Sequence, residues 1–274
     1  MNLAAAIQMA SGPNMGANLI EASRLIASAA SSGAGLVVLP ENFALMPIHE
    51  PDRLEIAEPH GDGPLQNFLA ARAREHGLWI VGGTIPLTAS DKRKVCPACL
   101  VFDDKGENVA RYDKMHLFDV NLENGEEYHE SVTQEPGDKT VVVDTPFGKL
   151  GLAVCYDLRF PELFRCMLDE GAEIFAVPSA FTEITGKAHW EVLVRARAIE
   201  NLAYVIAADQ GGYHVSGRET HGDSMIVGPW GQVHDRLARG SGVVLSELDL
   251  KRMASIRSSL PSIQHRRIRF ENSV

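Results

Sequence analysis

KLGLAVCYDLRFPELFR, residues 149–165, joins a short apolar run to an amphipathic one across a single cysteine. In the first part Leu150, Leu152 and Val154 alternate with small residues, which reads as a buried strand over 149–154. In the second, Leu163, Phe164, Met167 and Leu168 form one apolar face of a helix over 162–170, with Gly171 as its stop. Cys155 therefore falls on the turn between a strand and a helix, where a side chain is held rigidly and backbone N–H groups lie close by. A thiolate is the reactive form of cysteine, so a nucleophilic role requires a neighbour that removes the proton. A buried structural cysteine is the alternative that this stretch leaves open.

The same alternation of short apolar and amphipathic runs extends in both directions. Strands are expected over 3–9, 36–39, 79–83, 174–177, 204–208 and 243–248. Helices are expected over 18–32, ending near Gly33, over 64–76, between Pro64 and Gly77, and over 188–201. Asp103-Asp104-Lys105-Gly106 turns a hairpin between 100–102 and 109–112, and Pro229-Trp230-Gly231 turns another within 223–237. No linker, low-complexity tract or internal repeat interrupts this. The reading is one α/β domain over 1–274, two β-rich halves with helices outside them, as in a layered sandwich.

Composition narrows the function. The chain has 274 residues, 45% of them hydrophobic and 23% charged, an ordinary globular balance. A formal net charge of −10 argues against general binding to nucleic acid or anionic membranes. The basic cluster at 265–269 is a local exception, read as a solvated or subunit-contacting tail. No apolar run is long enough to cross a membrane and no targeting signal is evident. Four cysteines do not make a disulfide framework in a chain of this length, so a reducing, cytoplasmic setting is expected.

Two further stretches carry ionisable groups beside apolar ones. In Pro40-Glu41-Asn42-Phe43 a carboxylate ends an apolar strand, the position of a general base or of a plain surface carboxylate. In Arg111-Tyr112-Asp113-Lys114-Met115-His116 a lysine stands where it would either donate to a developing oxyanion or be solvated at a hairpin end. Cys96-Pro97-Ala98-Cys99 has redox spacing, but it leads straight into a strand and turn rather than a helix, and it lacks a partner pair for zinc.

LVVLPENF, YDKMHLFD and GLAVCYDLRFPELF together resemble the three catalytic motifs of the nitrilase superfamily of carbon–nitrogen hydrolases, and the similarity runs from near residue 3 to the HRR segment at 265. The resemblance implies a four-layer αββα sandwich that pairs into a homodimer or higher homo-oligomer. It also implies Glu41 as general base, Lys114 as transition-state stabiliser and Cys155 as nucleophile. A second glutamate follows the lysine in the family pattern. Glu130 matches it best, in a role of positioning Lys114 and substrate, with Glu126 and Glu127 close by. The implied chemistry hydrolyses a small linear amide to carboxylate and ammonia through a thioester, with no metal or organic cofactor. The backbone of Tyr156 would assist the oxyanion, and Arg159, Phe181 and Thr182 would line the substrate pocket. Arg159 reads equally as a structural ion-pair partner, and Trp190 and Arg195 as core and interface. PSAFTEITGKAHWEVLVRARAIEN and HGDSMIVGPWG look most like the Nit amidases that also occur fused to Fhit domains, which implies deaminated glutathione as substrate. The sister group, omega-amidase, would instead take 2-oxoglutaramate or 2-oxosuccinamate.

Overall fold

The computed structural model describes residues 2–122 and 125–268. Its centre is a pair of stacked sheets. The first has seven strands: Gly242–Glu247, Leu3–Gln8, Leu36–Val38, Trp79–Val81 and Val95–Phe102 lie side by side, with Ile85–Thr88 and Asn108–Asp113 both paired to Val95–Phe102. The second has six, in the order Val233–Leu237, Ser224–Val227, Tyr204–Asp209, Ile174–Ser179, Gly148–Leu152, Val142–Thr145. Both sheets are mixed. Leu3–Gln8, Leu36–Val38 and Trp79–Val81 run parallel, as do Gly148–Leu152, Ile174–Ser179 and Tyr204–Asp209.

The period of two along each strand explains the stacking. Ala4, Ala6, Leu36, Val38, Val81, Cys99 and Val101 of the first sheet join one core with Leu150, Leu152, Ile174 and Ala176 of the second. The intervening Ala5, Ile7, Val37, Ile80 and Leu100 pack instead with Leu25, Ile26 and Ala29 of helix Met15–Ser31 and with Leu65, Leu69 and Ala73 of helix Pro64–His76. On the far side, Phe175 meets Phe164 of helix Pro161–Asp169 edge-on, with ring centroids 5.1 Å apart. Helix Glu183–Asn201 covers the same sheet through Trp190, Val194 and Ala198. The result is the four-layer αββα sandwich. Strands covered on both faces are apolar throughout, which is why they read as continuous runs.

Element ends follow local chemistry. Pro64 opens its helix and Gly77, at φ +63°, closes it, so this helix has the bounds its sequence predicts. The first helix begins earlier than its apolar periodicity suggests, because the Asn14 side chain caps it by accepting from the Ala17 N–H at 3.0 Å. Helix Glu183–Asn201 likewise starts five residues before the predicted 188, capped by Thr182. Its first turns carry no apolar stripe, and Gly186 lies where a Cβ would come within 2.3 Å of the His221 side chain. Helix Leu250–Ser259, largely polar apart from Met253 and Ile256, was not expected at all. Cys96 and Cys99 lie within strand Val95–Phe102 and belong to the two different cores, so their thiols face opposite sides of the sheet. All four cysteines are unpaired. No helix among the described residues is long and apolar enough to cross a membrane. The basic cluster ends at Arg269, which lies outside the described residues.

Candidate active site

Cys155 opens a short 3-10 turn, Cys155–Arg159, just beyond strand Gly148–Leu152, and its backbone takes φ +50°. A β-carbon makes that left-handed conformation costly by about 1–2 kcal/mol, so the surroundings must hold it. Asp157 does this. Its side chain is wholly buried and accepts four hydrogen bonds: from the Val154 N–H at 2.8 Å, the Tyr112 hydroxyl at 2.7 Å, the His116 N–H at 3.0 Å and His116 Nδ1 at 2.7 Å. One carboxylate thereby ties the cysteine turn to strand Asn108–Asp113 and to the segment after Lys114. Asp157, Tyr112 and His116 all sit inside the quoted motifs, but nothing local in the sequence marks them as partners.

Glu41 reaches the same place from the other sheet. It follows strand Leu36–Val38, and its carbonyl accepts from Gln210 Nε2 at 3.0 Å, a bond across to the second sheet. Gly83, at φ +59°, lets the neighbouring turn lie against this segment, since a Cβ there would stand 2.1 Å from the Pro40 carbonyl oxygen. Lys114, just past strand Asn108–Asp113, is fully buried. Its Nζ donates to Glu41 Oε1 and to Glu130 Oε2, each at 2.8 Å. Glu130 begins a 3-10 turn and is itself fixed by the Phe118 N–H at 2.8 Å. Glu126 and Glu127 are exposed, the former bonded to Tyr128 and the latter beside His129. Of the three glutamates, Glu130 is the one that meets the lysine.

The electrostatics are those of a closed ionic cluster. Burial works against the charge on Lys114, but the adjacent Glu130 and Glu41 carboxylates outweigh it and hold the ammonium protonated well beyond the ordinary lysine range. Burial also opposes the Glu130 charge, and Lys114 overcomes it, keeping that carboxyl below its usual value. Cys155 is pushed well above the ordinary thiol range, first by burial and then by the Glu41 charge, against the opposing pull of Lys114 and a hydrogen bond from the Ala180 N–H. The surroundings thus favour the protonated thiol and the charged lysine.

Cys155 and Glu130 border a cleft of about 270 Å³, counted with its open mouth. Its wall also holds Tyr156 and the three residues expected around a pocket, Arg159, Phe181 and Thr182. Arg159 stacks over the rings of Phe181 and Tyr156, 5.3 and 5.9 Å from their centroids, and its NH1 lies 3.1 Å from His189 Nδ1. Among the described residues it has no acidic partner, and Glu162 of the same RFPEL segment does not pair with it. Trp190 is core, donating its indole N–H to the Asp223 carbonyl, and Arg195 bonds the Gly231 carbonyl. Arg218 also lines the cleft, although no motif in its local sequence marks it. Among the described residues no group of three or more His, Cys, Asp or Glu could hold a metal ion.

The carbon–nitrogen hydrolase family profile matches residues 3–258. The chain belongs to the carbon–nitrogen hydrolase family. It is therefore a hydrolase of carbon–nitrogen bonds, an amidase of the nitrilase superfamily. This carbon–nitrogen hydrolase is 43% identical over 267 residues to a protein of Synechocystis sp. named deaminated glutathione amidase, covering 96% of this chain and 97% of that one. The C. elegans NitFhit protein superposes with a TM-score of 0.88 at 35% identity over 97% of this chain, which spans only 65% of the NitFhit chain. Saccharomyces cerevisiae Nit3, of branch 10 of the nitrilase superfamily, superposes with a TM-score of 0.87 at 32% identity, covering 97% of this chain and 96% of Nit3.

Proposed function

We propose that this enzyme is a deaminated glutathione amidase, cleaving the amide between the 2-oxoglutaryl and cysteinylglycine parts of glutathione whose amino group has become a ketone. The observation that carries the mechanism is the buried Lys114 ammonium fixed between Glu41 and Glu130 beside a strained cysteine turn. Glu41 takes the Cys155 proton as Sγ attacks the amide carbon, so no free thiolate has to persist in a site that disfavours it. An ammonium has three donors, and the two carboxylates account for two. The third meets the tetrahedral oxyanion together with the Tyr156 backbone N–H. Glu130 keeps the lysine aimed. Glu41 then gives its proton to the departing amine and next activates the water that hydrolyses the thioester. With deaminated glutathione that amine is cysteinylglycine; ammonia is the product only from primary amides.

The test is direct. Purified enzyme is offered deaminated glutathione and 2-oxoglutaramate, and release of cysteinylglycine and of ammonia is compared with mass spectrometry of the trapped protein. The expected result is preference for the former and a 2-oxoglutaryl adduct on Cys155, absent from Cys155→Ala. Strong preference for 2-oxoglutaramate would replace this reading with omega-amidase, and activity surviving Cys155→Ala would remove the nucleophile.

The proposal extends to a homodimer. Val192 and Ile199 are exposed seven residues apart on helix Glu183–Asn201, and Trp230 is exposed on a turn whose Gly231 adjoins Ile199. This apolar face suits a second copy of the chain. Light scattering of Val192→Lys, expected to be monomeric, checks it. A reducing, cytoplasmic setting is consistent with four unpaired cysteines.

A further inference from the structure

We propose that Arg218 is a specificity residue that binds the carboxylate on the leaving-amine side of the substrate, the glycine carboxylate of deaminated glutathione. This rests on the function proposed above and names the part of the substrate that the cleft reads.

Arg218 sits in the tight connection between strands Gly211–Tyr213 and Glu219–His221. That connection is a rigid mount. His214 beside it reaches the Ser11 carbonyl through Nδ1 at 2.8 Å and Thr220 Oγ1 through Nε2 at 2.7 Å, and its N–H donates to the Arg218 carbonyl at 2.9 Å. The guanidinium projects into the cleft wall, donating NH2 to the Ala180 carbonyl at 2.6 Å and lying 5.1 Å over the Tyr128 ring. Its Nε is buried and has no hydrogen-bond partner among the described residues. A buried donor left unmade costs free energy, and such groups persist where a ligand completes them. Among the described residues no carboxylate pairs with Arg218, whereas Arg53, Arg111, Arg197 and Arg236 each have one. An arginine with this geometry accepts a carboxylate in two parallel bonds.

The side of the cleft follows from its neighbours. The hairpin that carries Arg218 continues directly from Gln210, whose side chain bonds the Glu41 carbonyl at 3.0 Å, whereas Arg159 lies over the Tyr156 and Phe181 rings beside His189. The departing amine must face Glu41 to collect its proton, so the peptide that leaves lies on the Arg218 side and the 2-oxo acid on the other. Two guanidinium groups on one cleft thus match a substrate with a carboxylate at each end of the scissile amide. 2-Oxoglutaramate has only one.

The experiment is a cycle of substrate and enzyme changes. Wild type, Arg218→Met and Arg218→Gln are assayed on deaminated glutathione, on the same compound with its glycine carboxylate converted to a carboxamide, and on 2-oxoglutaramate. Removing the carboxylate from the substrate should cost wild type about 10- to 100-fold in kcat/KM, mainly through KM. Both variants should lose as much on the native substrate, be nearly indifferent to amidation, and lose less on 2-oxoglutaramate than on deaminated glutathione, with circular dichroism and Tm reporting an intact fold. Arg218→Gln retains a donor for Ala180 and guards against disturbance of the hairpin. Equal losses on the acid and the carboxamide, or no loss on either, would overturn the assignment. A wild-type enzyme inactive on deaminated glutathione would instead remove the proposed function, and this inference with it.

Discussion

Asp157→Asn is the most informative single change, because it exchanges one atom at a site where four donors converge. Oδ2 accepts from Tyr112 and the Val154 N–H, while Oδ1 accepts from His116 N–H and Nδ1. An asparagine offers one oxygen and one NH2. The Tyr112 hydroxyl can rotate to accept, and the His116 ring can change tautomer. Neither backbone N–H can adapt, so whichever way the amide points, one buried N–H faces another. An orphaned buried donor costs about 1–3 kcal/mol, and repulsion adds to it, giving a loss of roughly 2–4 kcal/mol for a pair so placed. At about 2–4 °C per kcal/mol for a chain of this size, Tm should fall by roughly 4–16 °C. The Val154 bond holds the residue before Cys155, so relaxation of the φ +50° turn should also lower kcat at least about tenfold, a misplacement effect rather than a lost contact. Differential scanning fluorimetry and steady-state kinetics read both. A variant within 2 °C or so of wild type at full kcat would show that Asp157 does not hold the turn.

Three further outcomes are expected. Lys114→Met should reduce kcat about 10²- to 10³-fold, the usual loss for one oxyanion donor; more than a tenth of wild-type activity remaining would contradict the role given to Lys114. Alkylation of Cys155 by iodoacetamide should accelerate steadily from about pH 7 to 9, because burial and then Glu41 hold the thiol above the ordinary range; a plateau within that interval would mean a preformed thiolate. Asp209 is wholly buried, its Oδ2 has no partner among the described residues, and burial, then the Glu41 charge, raises its carboxyl well above the usual range. The folded state thus keeps a proton that the unfolded chain releases above about pH 4, so this group lowers stability as pH rises from there. Tm should fall less between pH 5 and 8 in Asp209→Asn than in wild type, and parallel pH profiles would refute the assignment.

Local pattern made much of this protein legible. The helix between Pro64 and Gly77 and most strands of both sheets follow from apolar periodicity and from residues with fixed backbone preferences, which act over a few positions along the chain; Ile85–Thr88 and Val142–Thr145, short and only partly buried, were not expected. The helices opening at Met15 and Glu183 extend beyond their apolar stripes, because side-chain capping and not burial sets their first turns. Helix Leu250–Ser259 was hidden for the related reason that only Met253 and Ile256 of it are buried. Glu41, Lys114 and Cys155 were visible as ionisable or nucleophilic groups breaking apolar runs. Their meeting was not, because Lys114 bonds Glu41 across 73 positions and Glu130 across 16. Where those side chains end up depends on how two sheets stack and which strand ends emerge together. The same holds for the four donors on Asp157 and for Arg218 opposite the thiol. By itself the sequence determined the layers and the reactive groups, through short-range sterics and burial. Only the tertiary structure decided which charge faces which, because that is settled by packing between segments far apart in the chain.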